Sequence, residues 1–207
     1  MYIPNSFRED DVHVLHTLMQ RYNFATLFSQ VDDEPFATHL PFMLDPSSGT
    51  YGTLIGHFAR ANPHWQMLQP DKTVLIVFQG AHEYISPSWY TTQETVPTWN
   101  YAVIHAYAKP RLIHEPEALR PIVTDLVHLH ENAFEHPWDV EYAAPLMESS
   151  LKAIVGVELT IDRLEGKYKF NQNRSTEDQE GVIAVLETTT SPNAHEVAAI
   201  MRGNLAK

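Results

Sequence analysis

No cysteine occurs among the 207 residues. That absence removes disulfides, thiolate metal sites and cysteine nucleophiles together. Basic residues are scarce: 14 Lys and Arg stand against 26 Asp and Glu, a formal net charge of -12. Such a surface repels nucleic acid through its general field, so a phosphate-bearing partner needs a local basic site. Apolar runs are short. Val74 to Phe78 is among the longest, far below the length of a membrane span. The start, MYIPNSFREDD, lacks the basic opening and apolar middle of a secretory signal. No G-x-G-x-x-G follows a strand, and there is no G-x-x-x-x-G-K-[ST], so dinucleotide-fold and P-loop readings lose their main support. Together these absences predict a cytoplasmic protein.

What is present suffices for a core. The chain is 43% apolar and 11% aromatic, enough for one large domain or a domain with an appendage. Twelve histidines are many. Their spacing does not favour metal: His128 and His130 point to different helix faces, and His13 and His16 have no evident third ligand. No metal site is expected.

Periodicity predicts a helix over 10–22, with Val12, Leu15, Met19 and Tyr22 on one stripe. Strands follow at 24–30, 35–44 and 52–58, separated by VDDEP and DPSSG turns. TVLIVFQG is a continuous apolar run, as in a strand covered on both faces. WNYAVIHAYAKPRLI alternates, with a bend or break expected near Pro110. Residues 116–131 read as a helix, and Val155, Val157, Leu159 and Ile161 alternate in a further strand. Residues 176–205 read as two helices, with Ser191 as N-cap and Pro192 in the first turn. Strands with short turns and few helices between them predict an α+β, mainly antiparallel fold, closed or half-closed into a barrel.

Candidate chemistry gathers in four places. In GHFARANPHW, Asn62 can cap a helix opening at Pro63, with Arg60 just ahead; a helix start beside an arginine suits a phosphate. Alternatively, this is a capped short helix and a solvated arginine. In GKYKFNQNR, Lys167, Lys169 and Arg174 gather with Asn171, Gln172 and Asn173; a charged strand end that resists aggregation reads equally well. His39 in THLPF and His57 in GHFAR are either core histidines or donors to a heterocycle edge. His105 reads as packing. Finally, SPSWYTTQETVPTWNY places Pro87 and Pro97, Trp89 and Trp99, the hydroxyls of Ser86, Ser88 and Thr98, and Asn100 around one loop. Those parts suit a planar ligand with a polar tail, or a core with a loop.

Taken in order, MYIPNSFRE, THLPF, GTLIGHFARANPHW, VFQGAHEYISPSWY, VPTWNYAVIHAY, IVGVELTI and GKYKFNQNR resemble the PaiB-type FMN-binding negative transcriptional regulators. The resemblance runs from the first residue to about residue 185, and YISPSWY and VPTWNY carry most of it. It implies an FMN-binding split β-barrel with flanking and C-terminal helices. Residues 1–175 would form the flavin-binding domain and 176–207 a helical extension packed on it. It implies FMN in a groove at the interface of a homodimer. Arg60 and Asn62 would hold the phosphate, and His39, Leu40 and Pro41 would follow the isoalloxazine edge, with His57 nearby. Ser86, Ser88 and Trp89 would frame one end of the loop, and Thr98, Trp99 and Asn100 the other. Lys169, Gln172, Asn173 and Arg174 would approach from the partner subunit. Two departures stand out. The family's KLSQNR is KFNQNR here, with Phe170 and Asn171. Its GPHAYISPSWY has Ala81 and Glu83, the latter adding negative charge beside the loop.

Three functions follow as expectations. One is a flavin-binding repressor, although no basic recognition helix is visible. DNA contact would need the 167–174 cluster doubled by a dimer, or a partner protein. The second is a flavin-dependent oxidoreductase, in which the cofactor supplies the chemistry and only His39 and His57 stand out as side chains to test. The third is a split barrel that has lost its flavin. No membrane association is expected.

Overall fold

The computed structural model describes residues 1–31, 33–92 and 94–206. Eight strands form one antiparallel sheet: β1 (Arg8–Glu9), β2 (Phe24–Val31), β3 (Glu34–Pro41), β4 (Met43–Asp45), β5 (Thr53–Ala59), β6 (Val74–Ile85), β7 (Thr98–Ile113) and β8 (Ile154–Lys169). Their order is β3-β2-β6-β7-β8-β5-β4, with β1 on β8. Six helices accompany them: α1 (Val12–Arg21), α2 (His64–Met67), α3 (Pro116–Glu131), α4 (Ala144–Lys152), α5 (Thr176–Thr188) and α6 (Pro192–Leu205). Among the described residues, no helix is long and apolar enough to cross a membrane.

Two compact units divide the chain. One contains Met1–Leu15, Gln79–Ile104 and Glu165–Lys207; the other contains His16–Phe78 and His105–Leu164. In the first unit, α5 and α6 bury Val182, Ile183, Leu186, Val197 and Met201. Both helices start as their sequences demand. Ser175 Oγ accepts the Asp178 N–H at 3.2 Å, and Ser191 Oγ accepts the Ala194 N–H at 3.3 Å.

In the second unit, β5 runs against β8 from Thr53↔Thr160 to Ala59↔Ile154. A helical layer of α3 and α4 buries Leu119, Ile122, Leu126, Met147 and Leu151 together with Ile113 and Val140. Gly156 on β8 is what lets α3 approach. A Cβ there would lie 2.7 Å from Leu119 Cδ2 and 3.2 Å from Ile113 Cβ.

Two expectations need correction. The single strand over 35–44 is two strands, because Phe42 leaves the ladder. Its N–H goes to the Asn23 carbonyl at 2.9 Å, and its ring is buried edge-on to Phe78, centroids 6.5 Å apart. Pro110 does not break β7. Every even position from Asn100 to Pro110 is buried, and the proline's missing N–H leaves the strand intact. The phase slips only afterwards, so that Ile113 is the next buried residue. The helix α4 is an addition, an element for which the sequence reading held no expectation.

The glycine at 156 yields a test. Gly156→Ala should destabilise the protein by about 1–3 kcal/mol, since the added methyl meets side chains already fixed in a full core. A urea melt should show a lower midpoint at unchanged slope. An unshifted midpoint would contradict the packing described.

Candidate functional site

The expected site residues fall into both units, and each group has its own geometry. In the unit built from residues 79–104 and 165 onward, Ser86 caps the 3-10 turn Pro87–Trp89. Its Oγ accepts the Ser88 N–H at 3.3 Å and lies 2.8 Å from Ser88 Oγ. Gly181 of α5 seats this turn: a Cβ there would come within 2.5 Å of the Trp89 carbonyl oxygen. Lys169 donates to Thr98 Oγ1 and, at 2.5 Å, to the Trp99 carbonyl. Arg174 stands 4.8 Å from the centre of the Tyr90 ring and donates to Thr95 Oγ1 at 2.5 Å.

Lys167 is buried, with Nζ 3.3 Å from the Tyr2 carbonyl and 5.2 Å from the Tyr101 ring centre. None of these three cations forms an ion pair with a carboxylate among the described residues. Burial, then the charges of Lys167 and Arg174, push the Lys169 ammonium below its usual pKa.

Trp99 is half exposed and flanked by Tyr84 and His82, ring centres 6.0 and 6.4 Å away. Beside it lies a hollow of about 460 Å³ lined by Gln79, His82, Tyr101, Ala102 and Val103. Asn100 is wholly buried. Its Nδ2 reaches Met201 Sδ at 3.4 Å, while its Oδ1 has no hydrogen-bond partner among the described residues.

The remaining residues of this unit serve the backbone or solvent. Gln172 folds onto its own turn, accepting the Phe170 N–H and donating to the Tyr168 carbonyl, each at 2.7 Å. Asn173 is exposed. The departures from the family motif have structural uses. Phe170 is fully buried, and Asn171 takes a left-handed φ of 64° while donating to Tyr90 Oη at 2.9 Å. Glu83 accepts from the cap hydroxyl Ser191 at 3.0 Å, so its charge is tied to the start of α6.

In the other unit, Arg60 directly follows β5 and is held by backbone. Nε donates to the Lys152 carbonyl and Nη2 to the Ile154 carbonyl, both at 2.7 Å. The guanidinium thereby satisfies carbonyls where α4 ends. Asn62 Oδ1 accepts the His64 N–H at 3.0 Å, and the helix it precedes, α2, is only four residues long. His39 projects from β3 on the exposed side, bonded to Thr26 Oγ1 at 2.9 Å and stacked on Phe24. Leu40 is buried and Pro41 half-buried. His57, paired with Gly156 across the ladder, has a buried Nδ1 with no partner among the described residues. Burial lowers its pKa.

One polar network was not foreseen. His64 is completely buried, with Nε2 2.8 Å from Ser29 Oγ and Nδ1 2.8 Å from Thr38 Oγ1. Asn62 Nδ2 donates to the same Thr38 hydroxyl at 3.1 Å. Phe36 and Phe58 wall the imidazole, ring centres 4.8 and 5.8 Å away. Only the proximity of His64 to the Asn62-Pro63 cap hinted at it in sequence.

The fold is a split β-barrel of α+β class. Solved structures share it: the flavocytochrome Anf3 from Azotobacter vinelandii has a TM-score of 0.58 at 11% identity, over 79% of this chain and 69% of that one. The FAD and heme binding protein from Mycobacterium smegmatis has a TM-score of 0.58 at 14% identity, over 78% and 73%. The family whose model matches residues 1–163 is described as "Putative FMN-binding domain". The chain belongs to that family and is of the PaiB type. It is 36% identical to "Protease synthase and sporulation protein PAI 2" of Bacillus subtilis strain 168, over 100% of this chain and 99% of that protein. A protein of Emericella nidulans is 30% identical over 98% of this chain and 96% of its own length. The cofactor class of the family is FMN.

The buried histidine gives a pH test. Burial pulls the His64 pKa down to about 4 from an ordinary 6.5. The unfolded chain therefore takes the proton first. Stability is full above pH 6.5 and declines as pH falls toward 4, by about 3 kcal/mol from this group. Urea unfolding between pH 7 and pH 4.5 should show that decline, and His64→Gln should flatten it. An equally steep decline in the variant would assign the loss to other groups.

Proposed function

We propose that the protein binds FMN through the cationic cluster of Lys169 and Arg174, the turn hydroxyls of Ser86, Ser88 and Thr98, and the rings of Trp89 and Trp99. The carrying observation is three cations, Lys167, Lys169 and Arg174, with no ion-pair contact to a carboxylate among the described residues, in a chain of net charge -12. The fit is electrostatic first. A lysine whose pKa is lowered by burial and then by neighbouring positive charge is relieved by an anion, and FMN brings a phosphate. The exposed Trp99 face offers apolar area to a planar ring. Bound FMN would supply electron transfer; the chain's residues would bind and orient it. Gln172, Asn173 and Asn100 belong to this reading as neighbours of those contacts.

The six residues of the other unit, His39, Leu40, Pro41, His57, Arg60 and Asn62, form a second set of proposed flavin contacts. Arg60 reaches an anion only with the guanidinium nitrogen not already engaged by carbonyls. The reading includes a homodimer with flavin at the subunit interface. Residues 1–175 are the flavin domain and 176–207 an extension on it.

For role, we favour regulation, supported by the name of the Bacillus subtilis relative, which refers to protease synthesis and sporulation. Such a role would act in the cytoplasm. A second reading is a flavin oxidoreductase, favoured by the fold shared with a flavocytochrome.

Purified protein should show a flavin absorbance band, either as isolated or after adding FMN. Lys169→Ala and Arg174→Ala should each weaken FMN binding about tenfold or more, as loss of a charge-assisted contact does. A colourless protein that ignores added FMN would end the proposal. Bleaching of the bound flavin by NADH or NADPH, followed by turnover with an acceptor, would select the oxidoreductase. Salt-sensitive retention of a duplex without such turnover would select the regulator.

A further inference from the structure

The helices α3 and α4 and the segment 132–143 that joins them carry apolar residues on the outer side as well as the inner one. The inner side buries Leu126, Val140 and Met147. Three residues or fewer from each of these, Leu129, Tyr142 and Leu146 are 47%, 76% and 64% exposed. Phe134 and Trp138 join them at 62% and 43%. An amphipathic layer that needed only to cover a core would show polar groups there. A cluster of large exposed side chains on a folded protein marks an interaction surface.

The patch is organised. The Trp138 and Tyr142 rings lie 6.3 Å apart, and Glu131 of α3 accepts the Trp138 N–H at 2.7 Å, fixing the connecting segment to the helix. Beside Leu129 a hollow of about 460 Å³ opens, lined by Gln20, Phe42, Met43, Leu44 and Asp125.

Charge names the occupant. Residues 128–148 hold Glu131, Glu135, Asp139, Glu141 and Glu148, and no lysine or arginine. Glu148 is paired with Arg120, while the other four carboxylates have no ion pair among the described residues. A twofold contact with a second copy would set these carboxylates against themselves, and nucleic acid would be repelled.

We propose that this face docks a basic amphipathic helix of a partner protein, its apolar stripe on Trp138, Tyr142 and Leu146 and its lysines or arginines against Glu135, Asp139 and Glu141. Aromatic anchors inside a charged rim are the usual composition of such an interface. The inference is independent of the flavin proposal.

The probe is a fluorescent synthetic peptide of leucine and lysine at helical spacing, about four turns long, titrated into the full chain. Anisotropy should show binding that weakens with salt. Trp138→Ala/Tyr142→Ala, which leaves the net charge unchanged, should lose about tenfold or more in affinity. Glu135→Lys/Glu141→Lys should lose as much. Glu180→Lys on α5 should bind as wild type, and circular dichroism should show all variants folded. Three results overturn the proposal: no binding, equal binding by the aromatic double variant, or a dimer in sedimentation that Trp138→Ala dissolves. Equal binding of a leucine and glutamate peptide would also overturn it, by removing the charge argument.

Discussion

Hydrogen-bonded strands of unusual length are the constraint on which this protein depends. β7 and β8 are 16 residues each, and β6 is 12. All three contribute residues to both compact units. A strand has one side-chain period, so its buried positions must stay in phase along its whole length. β7 keeps even positions buried from Asn100 to Pro110. A one-residue slip in that stretch would turn Ile104, Ala106 and Ala108 to the opposite face, and each of them is fully buried. The phase changes only past Pro110, so that Ile113 joins the core beneath α3 and α4. Pro110 withholds one ladder donor, and the strand runs on through it.

Polar groups inside such a sheet must find partners from side chains or chain ends. Arg60 illustrates the economy of the solution. An arginine at the end of β5 satisfies carbonyls beyond α4, where a helix end leaves acceptors open. His64 uses both ring nitrogens on hydroxyls from β2 and β3. Its neutrality follows from burial, and its tautomer from which hydroxyl donates. Lys167 and Arg174 face aromatic rings, and Lys169 is solvated by a carbonyl and a hydroxyl. Cations without carboxylates keep their positive field, and an acidic protein that binds a phosphorylated cofactor needs such a place.

Several elements were legible from residues alone because their physics is local. Ser191, read as the N-cap before Pro192, accepts the N–H three residues on at the start of α6, a contact that capping chemistry alone places. Val155, Val157, Leu159 and Ile161 alternate and are buried. The gathering of Lys167, Lys169 and Arg174 was visible as composition. Other features were not legible. Phe42 interrupts a strand because a distant carbonyl and Phe78 claim it. Gly156 and Gly181 matter for atoms that lie 34 or more residues away in sequence, and a bare glycine says nothing of that. The four-residue α2 is too short for periodicity to reveal, and only the Asn62-Pro63 cap announced it in the sequence.

By itself the sequence determined the fold class, the family and the chemical character of the candidate site. Alternation, capping residues, proline and the balance of charge act over a few residues and survive without coordinates. The tertiary structure alone decided which polar atoms are already spent: Arg60 on carbonyls, Gln172 on its own turn, Glu83 on Ser191. It also decided that the aromatic residues from Leu129 to Leu146 face outward. Burial and partnership are properties of pairs distant in the chain, and only folding brings those pairs together.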